Sequence, residues 1–353
     1  MMQAPVLTPL SFRLLGLALV LAVGVGCPCV REPINASPAL RWWLFSNFGA
    51  QRVCPEMLKR SAPLKLDPNG NTIGRFFPGT CQLQLNDAAQ TVTVQFAGTG
   101  YAWTPIAGRI SFSANASVEY RMDFYLGDEA VYVWALTNRI VAGPAFQIAS
   151  VENRVVDWAA RTPVGYLANT FGGQIVSGHL ASGFTVVRTD SGDEFTLGHI
   201  RPPQRPRRPF AVSGDRFVQA NETTEIRPEQ VDFLGPFEVD GNGQALFVRF
   251  QVNGPSVDAL VLYRGTADLW RSGLQMGAVL GPPPGAPISQ FTIAPGYEQR
   301  QKLPLPVGQY YLVVDNSSRV GVTTPPWNPL AAVTATPAVV SYVVELGDAS
   351  EAF

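Results

Sequence analysis

Residues Arg201–Pro209 read RPPQRPRRP, and no regular element accommodates them. Four prolines in nine residues remove backbone donors and fix φ, so an extended, polyproline-type spacer is expected there. The four arginines are read as solvated linker charges in preference to a site for lipid phosphates or anionic glycans. The 353-residue chain then divides into two bodies, residues 39–200 and 210–348, with 349–353 as a tail. Each body is long enough to bury its own core. The 33 glycines and 30 prolines favour short strands joined by turns over a helical bundle. The expected fold class is mainly β with some α: an α+β domain followed by a β-sandwich.

In the first body, Ser37 and Pro38 make a helix start, a capping side chain followed by a proline at the first helical position. A helix over Ala39–Phe48 is expected, with Leu40, Trp43, Leu44 and Phe48 on its apolar face and Trp42 and Phe45 off it. Such an aromatic helix suits either the core or the bilayer interface. Cys54-Pro55-Glu56 reads as the opening of a further helical turn. Val118, Tyr120, Met122, Phe124 and Leu126 alternate with polar neighbours at the period of a half-buried antiparallel strand. Gly127-Asp128 supplies a hairpin turn into Ala130–Leu136. Further strands are expected at Thr91–Phe96, Arg109–Ala114, Ala145–Ile148, Phe184–Thr189 and Glu194–Leu197. Two helices are expected between them, one capped by Ser150 and carrying Val151, Val155 and Trp158. The other places Leu167, Phe171, Ile175 and Leu180 together and ends near Gly183. The order predicts a curved antiparallel sheet packed on helices, an arrangement able to enclose an apolar cavity.

The second body reads as nearly all β. Leu246, Val248, Phe250 and Val252 alternate, Val257–Tyr263 is almost continuously apolar, and Gln309–Asp315 and Val339–Leu346 complete a sandwich pattern. Phe237-Glu238-Val239, Ala245–Val252, Asp258-Ala259-Leu260-Val261-Leu262-Tyr263 and Leu305-Pro306-Val307-Gly308-Gln309-Tyr310-Tyr311-Leu312-Val313-Val314 are similar to the bacterial pre-peptidase C-terminal domain. That resemblance implies a jelly-roll-like accessory domain that binds or positions and does no chemistry. The GPPPG loop at Gly281–Gly285 and the long segment Ser317–Pro329 are read as potential interaction surface.

The N-terminus bears on the compartment. Arg13 is the only charge before the apolar run Leu14–Gly26, LLGLALVLAVGVG, which ends at Cys27. The run falls short of the ~20 residues that span a bilayer and fits the apolar core of an export signal. With small Val23-Gly24-Val25-Gly26 before it, Cys27 resembles the lipidated cysteine of a bacterial lipobox, although that pattern carries Leu where this chain has Gly24. The resemblance implies a signal peptide over 1–26, lipidation of Cys27, and a tether over 27–38. Pro28 follows in place of the Asp that retains such proteins in the inner membrane, so the expected location is the outer membrane. Three cysteines are left in an oxidising compartment. Cys54 and Cys81 lie inside the first body at a spacing suited to a disulfide, with Cys29 free in the tether or paired with another molecule; the sequence does not fix the pairing.

Reactive motifs are scarce. The chain has two histidines, no Gly-x-Ser-x-Gly elbow and no His-Glu-x-x-His motif. Ser177-Gly178-His179 puts a serine beside a histidine, but on a helix the two side chains diverge. Glu119 and Asp123 share a strand face about 13 Å apart, beyond the ~5–9.5 Å of a glycosidase pair, with Arg121 between them on what reads as a solvated face. Asp67-Pro68-Asn69-Gly70-Asn71 begins like a calcium loop but has Thr72 and Pro78 where glycine and the bidentate acid belong. Asp240-Gly241-Asn242-Gly243 reads as a hairpin turn. No catalytic residue, metal or cofactor is expected, and a net charge of −1 offers no footprint for nucleic acid. The expected function is a membrane-anchored lipoprotein that acts by contact, as a scaffolding component of an envelope assembly with other envelope proteins as partners. The alternative is a periplasmic carrier whose first body encloses a lipid or glycan. A secreted hydrolase comes last.

Overall fold

The computed structural model describes residues 28–66, 70–104, 108–152, 178, 181–212, 214–323 and 336–353. The described chain is mainly β with some α, as expected, and most of its helical residues lie near the N-terminus, with a further helix at Arg264–Gln275. None of them is long and apolar enough to cross a membrane.

The expected tether is helical. Helix α1 spans Pro28–Ala36 even though Pro33 lies inside it. A helix this short gains little from propensity and is held by tertiary contacts. Ile34 is buried with Leu126 and Val131. Asn35 Nδ2 donates to the Leu126 carbonyl at 2.9 Å, and Arg31 Nη1 donates to the Gly127 carbonyl at 2.9 Å. Helix α2 follows at Pro38–Leu44, and the Ser37 hydroxyl accepts from the Leu40 amide at 3.3 Å, the expected cap. The helix does not stop at Phe48. A π-helical turn at Phe45–Gly49 passes it on to α3, Ala50–Lys59, so Cys54-Pro55-Glu56 lies mid-helix. Trp42 and Phe45 enter the core, whereas Trp43 is half exposed and packs edge-on against Phe48 at 5.8 Å.

Seven strands follow: β1 Ala62–Lys65, β2 Thr72–Asn86, β3 Thr91–Thr104, β4 Gly108–Leu126, β5 Val131–Val151, β6 Phe184–Thr189 and β7 Gly192–Leu197. All pair antiparallel with their sequence neighbours. Strand β4 joins two segments that the sequence pattern separates, with register shifts absorbing the break, and β5 likewise. The Gly127-Asp128 turn is as expected, its glycine amide donating to the Ala130 carbonyl at 2.8 Å. Ser150 does not cap a helix. It sits in β5, and its hydroxyl donates to the Gln275 carbonyl at 2.9 Å. The helices expected beyond it fall largely outside the described residues; Gly178, Ala181 and Ser182 are helical.

Among the described residues, the second body is an eight-stranded antiparallel sandwich. One layer runs β8 Phe217–Ile226, β15 Ala338–Asp348, β10 Gln244–Asn253, β13 Gln299–Pro304. The other runs β12 Ser289–Ile293, β11 Val257–Tyr263, β14 Gly308–Asn316, β9 Gln230–Val239. Leu246, Val248, Phe250, Leu312, Val314 and Tyr342 meet between the layers. Asp240–Gly243 is not a hairpin, because β9 and β10 belong to different layers and the turn carries the chain across the sandwich. Strand β11 is apolar except at Asp258, and it is buried up to Leu262 because both its faces are covered. Its outer face lies under α4, Arg264–Gln275, a helix missing from the sequence reading. Trp270 of α4 packs on Phe233 at 5.3 Å, alongside Phe77 and Tyr101 from the first body.

The Pro/Arg segment carries no regular secondary structure, yet the bodies it separates in sequence share a sheet. Strand β8 makes one bridge to β7, Gly192–Val218, and one to β2, Thr72–Thr224. The β2–β7 meander therefore curls until its first and last strands meet on the same strand of the sandwich. Buried Arg75 of β2 reinforces the seam. Its Nε donates to Asp232 of β9 at 3.0 Å, and its Nη2 to the Tyr342 hydroxyl at 3.1 Å. Tyr101 Oη donates to the same carboxylate at 2.7 Å and accepts from the Phe233 amide at 2.9 Å. Burial opposes the Arg75 charge, but Asp232, Tyr342 and Glu222 together hold its pKa well above the usual arginine value.

Candidate functional site

The curled sheet, with the helices and strap against it, borders a partly open cavity of about 970 Å³, at the upper end of the ~300–1,000 Å³ typical of small-molecule sites. Alternation along the strands sets its walls. Phe76 from β2, Phe96 from β3, Tyr120 and Met122 from β4, and Val133 and Phe184 from β5 and β6 face inward. Glycines on β3 make room for rings: a Cβ at Gly98 would stand 2.8 Å from the Phe76 ring, and one at Gly100 2.7 Å from the Phe112 ring. Burial pushes the Tyr120 hydroxyl up to about 12, so this wall is uncharged at any physiological pH.

Helix α3 and the π turn before it form one side. Two adjacent rows at four-residue spacing face the cavity, Phe45, Gly49, Val53, Met57 and Phe48, Arg52, Glu56, Arg60. The first row is apolar and packs with the inward strand residues. The second is mostly charged, so apolar and charged lining meet along this helix. The expected disulfide pins it: Cys54 in α3 is bonded to Cys81 in β2, with Cα atoms 5.4 Å apart.

Cationic charge gathers on the lining. Arg52, Arg60, Lys65, Arg75, Arg188, Arg207 and Arg208 oppose Glu56, Asp193, Glu194 and Glu222, seven cations against four carboxylates, in a chain whose net charge is −1. Two adjacent acids of β7 organise the rim. Asp193 takes both arms of Arg188, at 2.7 and 2.8 Å, and Arg60 at 3.8 Å. The Asp193 hydrogen bond raises the Arg188 pKa. Glu194 pairs with Arg205 at 3.1 Å and with Arg208. Most of the Pro/Arg segment is exposed, as expected of a solvated spacer, but Arg205 and Arg208 tie it to β7, and Pro206, Arg207, Arg208 and Pro209 border the cavity as a strap. Burial lowers the Arg208 pKa, and its Nε is buried without a hydrogen-bond partner. Among the described residues, no carboxylate pairs with Arg52 or Arg207, and both side chains are exposed.

The residues singled out in the sequence scatter. Glu119 is buried, not solvated, and is held by Asn138 and Arg139, whose hydrogen bonds lower its pKa. Asp123 is engaged by Arg41 from α2, at 2.6 and 3.1 Å. The two acids therefore have separate partners and form no pair. Ser177, His179, Asp67, Pro68, Asn69 and Cys27 lie outside the described residues, and Cys29 sits in α1. Among the described residues, no three His, Cys, Asp or Glu side chains are grouped to hold a metal ion.

The cavity lining escaped the sequence reading for a local reason. Strand β2, TIGRFFPGTCQLQLN, carries Gly74, Pro78 and Gly79, which read as turn residues. The alternation of Cys81, Leu83 and Leu85 with Gln82 and Gln84 was the signal that marks it as a strand. The cationic lining comes from helix, strand and strap, and no spacing along the chain links those pieces. No protein-family model matches the chain, and no curated protein matches it.

Proposed function

We propose that this protein binds an apolar ligand of lipid type inside the curled sheet and works as a ligand carrier or lipid-binding module of the bacterial cell envelope. The observation that carries this reading is the cavity of about 970 Å³, walled by inward aromatic and aliphatic side chains and bordered by arginines. A purely structural domain gains by filling such a space, because unfilled lining forgoes van der Waals contact. Export and anchoring through lipidated Cys27, with the outer membrane as the location, complete the proposal and rest on the lipobox-like N-terminus. The pre-peptidase-like sandwich is proposed as the accessory part.

Native mass spectrometry of the full-length protein, gently extracted from its own membranes, tests the reading. A chain carrying a noncovalent acyl-containing small molecule supports it. A ligand-free chain that also gives no saturable signal with a polarity-sensitive fluorescent acyl probe ends it. In the same preparation, Cys27→Ala is expected to move the protein out of the membrane fraction; its persistence there removes the anchor. A second reading, assembly by contact, draws on Leu269, Met276 and Val279, which are 64%, 80% and 69% exposed on the sandwich side. Arrival of the chain within a larger defined assembly favours it.

A further inference from the structure

We infer that the cavity is selective for an acyl chain bearing an anionic headgroup, a carboxylate or phosphate, with the head received by Arg52 of α3 and Arg207 of the strap. This rests on the proposed lipid-type ligand and adds the chemistry of its polar end. Three observations carry it. The cavity lining holds an excess of cations, while the chain as a whole is slightly acidic. Most of those cations are already engaged: Arg60 and Arg188 by Asp193, Arg208 by Glu194, Arg75 by Asp232. Of the remaining three, Lys65 has a contact of its own, and Arg52 and Arg207 are left, on two different elements bordering the same space.

The lining around Arg52 shows how an amphiphile would lie. Along α3, the row that includes Val53 and Met57 packs with the apolar wall, and the adjacent row presents Arg52. A chain seated among Phe76, Phe96 and Met122 would bring its head to that boundary. A guanidinium presents paired donors that match both oxygens of a carboxylate or phosphate. A neutral head would leave the two arginines without an anionic partner. The strap contributes Arg207 because Arg205 and Arg208, on either side of it, are anchored to Glu194 and hold the segment against the cavity.

The test is displacement of a neutral polarity-sensitive probe from the full-length protein, exchanged from its membranes into a detergent-free amphipol. Competitors of one chain length are hexadecanoic acid, hexadecanoyl lysophosphatidate and hexadecanol. The expected result is displacement by the two anions at concentrations at least tenfold below that of the alcohol. Arg52→Gln combined with Arg207→Gln should shrink the ratio to within twofold without weakening the alcohol, and Arg→Lys at both positions should restore part of it. Whichever anion is the stronger assigns the head as carboxylate or phosphate. Equal displacement by acid and alcohol in the unaltered protein overturns the headgroup site while leaving the apolar cavity standing, as does a preference that survives both substitutions. Failure of the probe to bind at all overturns both.

Discussion

Strand β10 of the sandwich and strand β4 of the curled sheet carry the same kind of alternating apolar row, but the two rows end in different surroundings. Leu246, Val248, Phe250 and Val252 are all within 3% of complete burial. On β4, Val118 is fully buried, whereas Met122 keeps 9% exposure and Phe124 more. The sandwich row meets a second sheet whose side chains interdigitate with it across the usual two-layer spacing. The β4 row faces the far side of its own sheet and the short helices α1 to α3. A meander that curls on itself around such short helices leaves more space than its side chains fill. Alternation therefore says which side of a strand is apolar and nothing about what lies opposite. That opposing layer makes one region a filled core and leaves the other with a cavity.

The seam between the regions should be the most sensitive to change. Asp232→Ala leaves the Arg75 guanidinium buried without its main counter-ion, and an expected loss of about 3–5 kcal/mol follows. Urea denaturation of the whole chain would show it, and retention of native stability would mean that the halves are joined mainly by apolar contact. The contrast itself is tested by a matched pair. Phe250→Ala empties a filled site and should cost about 3–5 kcal/mol. Phe124→Ala removes a side chain that already borders open space, and about 1–2 kcal/mol is expected from its smaller burial. Equal losses would mean that the cavity wall is packed as tightly as the sandwich.

The disulfide bears on the curled region alone. Its closed loop runs from Cys54 to Cys81, a separation of 27 residues, and Cys54→Ser with Cys81→Ser should lower stability by about 2–4 kcal/mol. It should also weaken probe binding, since the bond fixes α3 against β2. Unchanged binding would show that the helix is held without it.

The smallest effect belongs to the sandwich. Asp315 pairs in register with Asp258 under the loop at 317–323. Burial is the chief cause that pushes its pKa up to about 6 from 3.8. Between those values the folded protein holds a proton that the unfolded chain has lost, so the contribution is greatest at low pH and is lost as pH rises through about 6. From pH 7 to 6 the gain is expected to stay below about 1 kcal/mol. Asp315→Asn should remove this pH dependence from thermal unfolding curves. A variant that keeps the same slope would assign it to another group.

Much of the strand pattern was legible because period-two alternation is local: β10, β11, β14, β15 and the core of β4 were all expected from their own residues. The Ser37 cap was legible for the same reason, as its partner is three residues away. Helix α1 was not, since the contacts that hold it against Pro33 come from the β4–β5 turn some ninety residues on. Strand β2 was hidden by glycines and a proline that serve curvature and ring packing.

The sequence by itself determined the β-rich class, the sandwich strands and the absence of familiar catalytic motifs, because each is written in residue type and short-range spacing. Only the tertiary structure decided that the Pro/Arg segment is a strap, that β8 closes the curled sheet, and that an apolar cavity sits beside arginines from helix, strand and strap. Those features depend on which surfaces face each other after folding, and a void has no residues of its own to announce it.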